Sequence, residues 1–466
     1  MFLQKIRSEG LSHYSYFVAD GGEAAVIDPR RDCQVYLDLA LSTASRITHI
    51  FETHRNEDYV TGSRELGERT GATIYHGAAL DFSFGRPARE GDRFRIGRLE
   101  LAVLETPGHT TESISIVLRD LSLSNDPLMV FTGDALFAGD VGRTDLFGPD
   151  KAEWAAGTLY DALHGKILPL GDGVVILPAH GAGSVCGGDI ADLEFSTIGL
   201  ERARNPCFLL DRESFIARKK SEHHYRPPYF SMMEKLNRSG PPVLSHLPHP
   251  VPLDPHTFAG KMKAGAQVLD IRSPEAFGGG HIPGSISLWH DGIPNFAGWV
   301  LSYDRPVIIV DDCPSGLDSA IRYLVRLGYD TIGGYLAGGF ASWTRSGREV
   351  RRLETWSAAM LRESLEKERF ILLDVRDGKN REEMGFIMGS RHIYVGEVPQ
   401  RLAEIPRNKK VVVYCDAGFK GSLAASLLLA AGFRNVVNVI GGFSGWKAAG
   451  YPVENKRTGN APLASR

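Results

Sequence analysis

A chain of 466 residues is too long for one domain of roughly 150 and points to about three. With 43% apolar and 23% charged residues it falls among globular proteins, which excludes disordered, collagen-like and coiled-coil chains. A net charge of −3 supplies no positive field for nucleic acid or an anionic membrane, so neither is expected as a partner. The 52 glycines suit a sheet-based α/β fold with many tight loops. Five scattered cysteines, Cys33, Cys186, Cys207, Cys313 and Cys415, argue against a disulfide framework and for a reducing compartment. The opening residues MFLQKIRSEGLSHYSYF lack an apolar core of signal-peptide length, and the run near AASLLLAAGF is too short to span a bilayer. A cytoplasmic protein is expected.

In chain order, the first 225 or so residues read as short strands: YFVAD, AAVID, ITHIFET, LAVLETP, LMVFTGD and VVILPAH. Several stop at a polar or metal-binding residue type, which delivers candidate ligands to one edge of a sheet. This predicts a first domain over 1–240. The segment from Arg226 to Pro255 is proline-rich around a short amphipathic stretch and reads as a linker that packs on something. Beyond it the chain repeats. VLDIR at 268–272 returns as LLDVR at 372–376, and VIIVD at 307–311 returns as VVVYC at 411–415, each at an offset of 104. GYDTIGGYLAGGFASW from Gly328 returns as GFRNVVNVIGGFSGW from Gly432. Apolar runs of four or five residues alternating with helical periods indicate two small α/β domains with parallel sheets, over 250–350 and 355–455. The polar tail from Asn455 to Arg466 is expected to fray.

Four strand-terminal segments of the first domain belong together: THRNEDYVTG with His54, Asn56, Asp58 and Tyr59; TPGHTTES with His109; FTGD with Asp134; and LPAH with His180. A lone histidine is usually an ordinary core or polar residue, but four such segments at strand ends point to a metal site. They resemble the metallo-β-lactamase superfamily, in particular its glyoxalase-II-like and persulfide dioxygenase branch. The resemblance implies an αββα sandwich. In place of the superfamily's H-x-H-x-D-H pattern this chain has His54, Asn56, Asp58 and Tyr59, so two histidines of the pattern are absent. Asn56 offers a neutral amide oxygen and Tyr59 a phenol that stays protonated near neutral pH, so the two-metal hydrolase site is dismantled. His54, His109 and Asp134 remain, and two imidazoles with one carboxylate are the ligand set of mononuclear non-haem iron(II) oxygenases. The persulfide dioxygenase branch is described with the same triad, which implies one Fe(II) per chain. Asp58 and His180 match positions that bind the second metal and are assigned to the outer shell; a purely structural role for either stands open. Arg143 matches an arginine near the substrate mouth and is expected to hold a carboxylate of a glutathione-type substrate.

In VVVYCDAGFKGSLAAS, Cys415 ends a strand and opens a C-x-x-G-x-K loop leading into a helix, where backbone N–H groups, the helix N-terminus and Lys420 favour the thiolate. The LDVR opening, this loop and the closing G-G-F-x-x-W resemble the rhodanese family. Cys415 would then carry a sulfane sulfur, and Asp416, Ala417, Gly418, Phe419 and Lys420 would form an anion-binding cradle. Lys420 and Gly421 stand where many members carry arginine and serine. In the first copy Asp311 aligns with Cys415, and a carboxylate cannot carry a persulfide, so that copy is expected to be a non-catalytic scaffold, unless a local shift brings Cys313 into play.

The expected protein is a persulfide dioxygenase fused to an inactive and an active rhodanese domain. Its partners would be a small thiol persulfide, dioxygen, and sulfite or thiosulfate, with sulfur passing in either direction between the sites. The competing readings are a dizinc thioester hydrolase with an appended sulfurtransferase and a non-enzymatic sulfur sensor. Fusion enzymes of this kind often form homodimers or homotetramers.

Overall fold

In the computed structural model, which describes residues 1–455, the N-terminal part is two sheets face to face. The polar tail singled out above lies almost wholly outside the described residues. Strands β1 (Phe2–Ser8), β2 (His13–Asp20), β3 (Glu23–Ile27), β4 (Arg46–Glu52), β5 (Thr73–Gly77) and β6 (Arg86–Ala88) form one six-stranded sheet in that order. The other six-stranded sheet holds β7 (Arg93–Ile96), β8 (Leu99–Glu105), β9 (Ile114–Asp120), β10 (Met129–Gly133), β11 (Val175–Pro178) and β12 (Ser196–Thr197). Period-two alternation assigns each strand two faces. In β2, Tyr14, Tyr16 and Val18 meet Ile116, Leu118 and Phe131 of the second sheet. Phe17 and Ala19 point the other way, to Tyr36 of α1 (Gln34–Ser42) and Leu66 of α2 (Ser63–Thr70). Both faces of β2 are therefore buried.

On the far side of the second sheet, Val117 and Val130 pack against Leu159 of α3 (Ala152–Ala162), Ile198 of α4 (Ile198–Arg204) and Phe215 of α5 (Arg212–Ser221). Full burial of a side chain such as Phe131 stabilises by about 1.5–3 kcal/mol, and the layers helix, sheet, sheet, helix follow from having three such apolar seams. The proline-rich segment carries α6 (Phe230–Ser239).

The described residues form two compact units, and the second is built chiefly from the repeat. Its first sheet is five-stranded in the order β13 (Pro252–Leu253), β17 (Ile332–Leu336), β16 (Val307–Val310), β14 (Gln267–Asp270), β15 (Ile286–Ser287). Its second has the same order: β18 (Glu354–Trp356), β22 (Val436–Val439), β21 (Val411–Tyr414), β19 (Ile371–Asp374), β20 (Arg391–His392). All pairs in both are parallel. Helices α7 (Pro255–Lys263), α8 (Pro274–Gly279), α9 (Ile293–Val300), α10 (Leu317–Arg326) and α11 (Gly339–Arg345) belong to the first copy. Helices α12 (Ala358–Lys367), α13 (Gly378–Met384), α14 (Phe419–Ala430) and α15 (Gly442–Ala448) belong to the second.

The two copies differ most in one helix. The sequence FKGSLAASLLLA of α14 is apolar nearly all round and is buried from Gly421 to Ser426, as such a helix must be. The first copy covers it: the Ser287 N–H donates to Ser426 Oγ at 3.0 Å, and the Ser287 and Ser422 hydroxyls lie 2.8 Å apart. The corresponding α10 instead carries the ion pair Asp318–Arg322 on a solvated side. Among the described residues no helix is long and apolar enough to cross a membrane.

Candidate metal centre and cysteine loop

Strands β4, β8, β10 and β11 each end within four residues of one candidate ligand, so His54, His109, Asp134 and His180 collect at one edge of the sandwich. The strand ends need room to approach. Gly133, at φ +53°, lies so close to Thr53 that a Cβ there would sit 2.6 Å from the threonine hydroxyl oxygen. His54, His109 and Asp134 are buried, and Asp134 Oδ2 lies 3.6 Å from His54 Nε2 and 3.5 Å from His109 Nε2.

The opposite nitrogen of each ring is already engaged. His54 Nδ1 is 2.9 Å from Thr53 Oγ1, and His109 Nδ1 donates to the Arg143 carbonyl at 2.9 Å. Thr53 donates its hydroxyl hydrogen to Asp28 Oδ2 at 2.9 Å, so it accepts from His54, whose proton sits on Nδ1. His54 Nε2 therefore presents a lone pair; neither Nε2 has a hydrogen-bond partner, and on His109, which Glu57 pushes up to about 9 against burial, a metal ion would displace a proton. Two buried, unpartnered imidazole nitrogens converging on one carboxylate oxygen fit a divalent metal ion, and the donor set suits iron(II).

Charge around the triad follows from burial and pairing. Burial alone would raise Asp134, but the imidazoles of His180 and His54 outweigh it and hold the carboxyl well below its usual range. Burial keeps His54 below the ordinary histidine value. Asp28 is pushed up to about 7 by burial, against the two hydrogen bonds from Thr53.

His180 stands between two carboxylates. His180 Nδ1 is 2.7 Å from Asp134 Oδ1, and its Nε2 is 3.1 Å from Asp58 Oδ2, so the ring spans the two carboxylates. Arg143 is a correction. Its guanidinium is buried, bonded at 2.7 Å to each oxygen of Asp145, and donates to the Val185 and Tyr225 carbonyls. A fork already filled by Asp145 does not present itself to a substrate carboxylate; what Arg143 gives the site is the carbonyl that orients His109.

Five residues near the centre escaped the sequence reading. Asp28, at φ +51°, and Thr53 orient His54; the polar end of the AAVID strand was the available signal for Asp28. Glu57 Oε1 lies 3.3 Å from His109 Nε2, and the glutamate is pulled down to about 2, burial being overcome by His109. The Cys186 thiol reaches to 3.6 Å from the same Glu57 oxygen. Asn237 of α6 donates at 2.7 Å to the carbonyls of both Asn56 and Tyr59 and accepts from the Thr61 N–H at 2.9 Å, clamping the loop that carries Glu57 and Asp58. Nothing in their sequence context marks Cys186 or Asn237.

In the second unit Cys415 follows β21 directly and is 1% exposed, with the Gly418 N–H 3.1 Å from its sulfur. The G-G-F motif explains itself here: a Cβ on Gly442, at φ +50°, would stand 2.3 Å from the Cys415 carbonyl. Burial opposes the readily formed thiolate expected from the loop. Burial pushes the Cys415 thiol up, and the N–H groups of Gly421, Gly418 and Ala417 together with Lys420 only partly offset it. Lys420 shares its charge with Asp416 at 2.7 Å. Phe419 is exposed and packs on Trp289 of the first copy, ring centroids 5.2 Å apart. In that copy Asp311 follows β16 as Cys415 follows β21, while Cys313 lies two residues on, exposed, its sulfur 2.9 Å from Ser315 Oγ.

The metallo-beta-lactamase superfamily model matches residues 9–180, and the rhodanese-like domain model matches 254–346 and 357–449. The mitochondrial persulfide dioxygenase ETHE1 of Mus musculus is 34% identical over 215 residues, 44% of this chain and 74% of that protein. A hydroxyacylglutathione hydrolase of Rhodospirillum rubrum is 38% identical over 146 residues, 30% of this chain and 51% of that enzyme. Among solved structures, a metallo-beta-lactamase from Staphylococcus aureus is similar at 31% identity and a TM-score of 0.65, covering 72% of this chain and 98% of its own. The chain belongs to the metallo-beta-lactamase superfamily, beside the persulfide dioxygenases, and carries two rhodanese-like domains behind that domain.

Proposed function

We propose that the chain is a non-haem iron persulfide dioxygenase joined to a rhodanese sulfurtransferase. The observation that carries this reading is the convergence of His54 Nε2, His109 Nε2 and Asp134 Oδ2 with both imidazole nitrogens unpartnered. Iron(II) held by these three side chains would supply redox chemistry and coordination positions left open for substrate and dioxygen. The overall reaction would convert a thiol persulfide, dioxygen and water into the parent thiol and sulfite, RSSH + O2 + H2O giving RSH + H2SO3. The chain's own part is to orient the donors: Thr53 and Asp28 fix His54, the Arg143 carbonyl fixes His109, and His180 fixes Asp134. Tyr59 favours this over the dizinc hydrolase: burial raises its phenol well above the usual value, so it stays neutral where the hydrolase pattern has a histidine.

At the second centre, Cys415 would take the sulfane sulfur of thiosulfate, becoming a persulfide as sulfite leaves, and hand that sulfur to a thiol; the reverse transfer is equally balanced. Asp311 cannot do this, which leaves the first copy the part of covering α14. Joining the centres in one chain raises the local concentration of a shared sulfur compound. Oxygen uptake by the iron-loaded protein with glutathione persulfide, lost in His109→Ala, tests the reading. Two zinc ions and anaerobic thioester hydrolysis would overturn it.

A further inference from the structure

Lys420 is the cation of the cysteine loop, yet it is already matched: its Nζ lies 2.7 Å from Asp416 Oδ2. The pair carries no net charge, so an anionic sulfur donor gains little from it as it stands. A second cation beside the loop is short of one partner. Phe443, whose N–H donates to the Cys415 carbonyl at 2.7 Å, has the Arg376 guanidinium 4.0 Å from its ring centroid. Arg376 is fully buried; its Nε and Nη2 donate to Asp374 at 3.0 and 2.7 Å, and Nη2 donates also to the Gly385 carbonyl at 2.8 Å. Its Nη1 is buried and has no hydrogen-bond partner among the described residues, although buried polar atoms are nearly always satisfied.

The first copy shows what takes that place. Arg272 repeats the arrangement, with Nε and Nη2 on Asp270 at 2.8 and 2.6 Å, and its Nη1 lies 3.5 Å from Oδ2 of Asp312, the counterpart of Asp416 at the offset of 104. Asp312 Oδ1 also accepts the Phe340 N–H at 2.8 Å, whereas the matching N–H of Phe443 is taken by the Cys415 carbonyl. Where the second copy has Lys420 the first has Gly316, so Asp312 has no loop lysine to turn to. The same aspartate thus sits on the lysine where there is one and on the buried arginine where there is none. We propose that Asp416 is a movable counter-ion, a positioning residue that leaves Lys420 for Arg376 Nη1 when a sulfur-bearing anion such as thiosulfate enters the loop. Lys420 is released to the anion, and the buried guanidinium gains its missing charge-assisted hydrogen bond. Without an anion the carboxylate keeps the lysine covered, so an incoming donor must outcompete it. This role for Asp416 rests on the reading of Cys415 as a carrier of sulfane sulfur.

The test uses the full chain carrying Cys415→Ser, which can bind thiosulfate without turning it over, and titration calorimetry. Adding Asp416→Asn should tighten thiosulfate binding about 3–5-fold, the scale of a part-exposed ion pair. Adding Asp416→Glu, which keeps the charge, should bring the affinity back towards the starting value, and adding Asp312→Asn should leave it unchanged. Crystals of the Cys415→Ser protein with thiosulfate should place the Asp416 carboxylate within hydrogen-bond reach of Arg376 Nη1. No thiosulfate binding, an unchanged affinity in Asp416→Asn, an equal gain in Asp312→Asn, or a carboxylate still on Lys420 beside the bound anion overturns the counter-ion role. Absent sulfurtransferase activity in the wild type, with Asp416→Asn tightening binding as expected, would sink the carrier reading alone.

Discussion

The carboxylate of Asp28 receives two hydrogen bonds from Thr53, one from its backbone N–H at 2.7 Å and one from its hydroxyl at 2.9 Å. Through them a residue that touches no proposed metal ligand sets which nitrogen of His54 is free. Replacing Thr53 by valine, or Asp28 by asparagine, should weaken iron(II) or cobalt(II) binding by about 10–100-fold, the usual cost of losing such a supporting contact. Competition against a chromogenic chelator measures it. Thr53→Ser, which keeps the hydroxyl, should restore most of the affinity.

Asn237 holds the loop of Glu57 and Asp58 by three hydrogen bonds that alanine cannot make. Asn237→Ala leaves two buried carbonyls and an N–H without their partner and should cost about 2–3 kcal/mol of stability. Urea unfolding of the first unit's fluorescence reads this directly, and an unchanged midpoint would show the clamp to be idle.

In the proposed transfer Cys415 would have to lose its proton to attack sulfur. Because burial raises the thiol above its ordinary value, the thiolate fraction keeps growing with pH, and alkylation by iodoacetamide should still be accelerating beyond pH 9 without levelling near neutrality. Asp416→Asn frees Lys420 from its 2.7 Å ion pair and should speed alkylation a few-fold at neutral pH. A plateau near neutrality in the wild type would contradict the burial argument.

Thiosulfate sulfurtransferase activity should fall to background in Cys415→Ser and stay at the wild-type level in Cys313→Ser, since the Cys313 thiol is exposed and two residues past the strand-end position. Oxygen uptake with an added persulfide should survive both. Activity lost in Cys313→Ser would make the first copy a second carrier.

A bound ion that the unfolded chain does not hold stabilises the native state, by about 2.7 kcal/mol at one hundred times the dissociation constant. Iron(II) should therefore raise the melting temperature of the wild type, and a chelator should return it. His54→Ala should show little of this shift.

Much of the architecture was legible in the chain. The short apolar runs of the first domain and the VLDIR and LLDVR repeat mark strands and a duplicated unit by themselves, because apolar runs and repeat spacing are local properties. Strand ends bearing His54, His109, Asp134 and His180 were readable for the same reason. So was the alignment of Asp311 with Cys415, since equal strand spacing carries one position onto the other.

What the tertiary structure alone decided is which polar groups meet. Arg143 is at the site in sequence, yet Asp145 and two carbonyls occupy its fork. Cys186 and Asn237 are unremarkable where they stand in the chain and are brought to the loop of Asp58 by folding. Even the Cys415 thiol, favoured by its loop, is governed more strongly by burial. Motifs record the short-range geometry of a turn or a strand end, whereas hydrogen-bond partners and desolvation depend on atoms that sequence distance does not order.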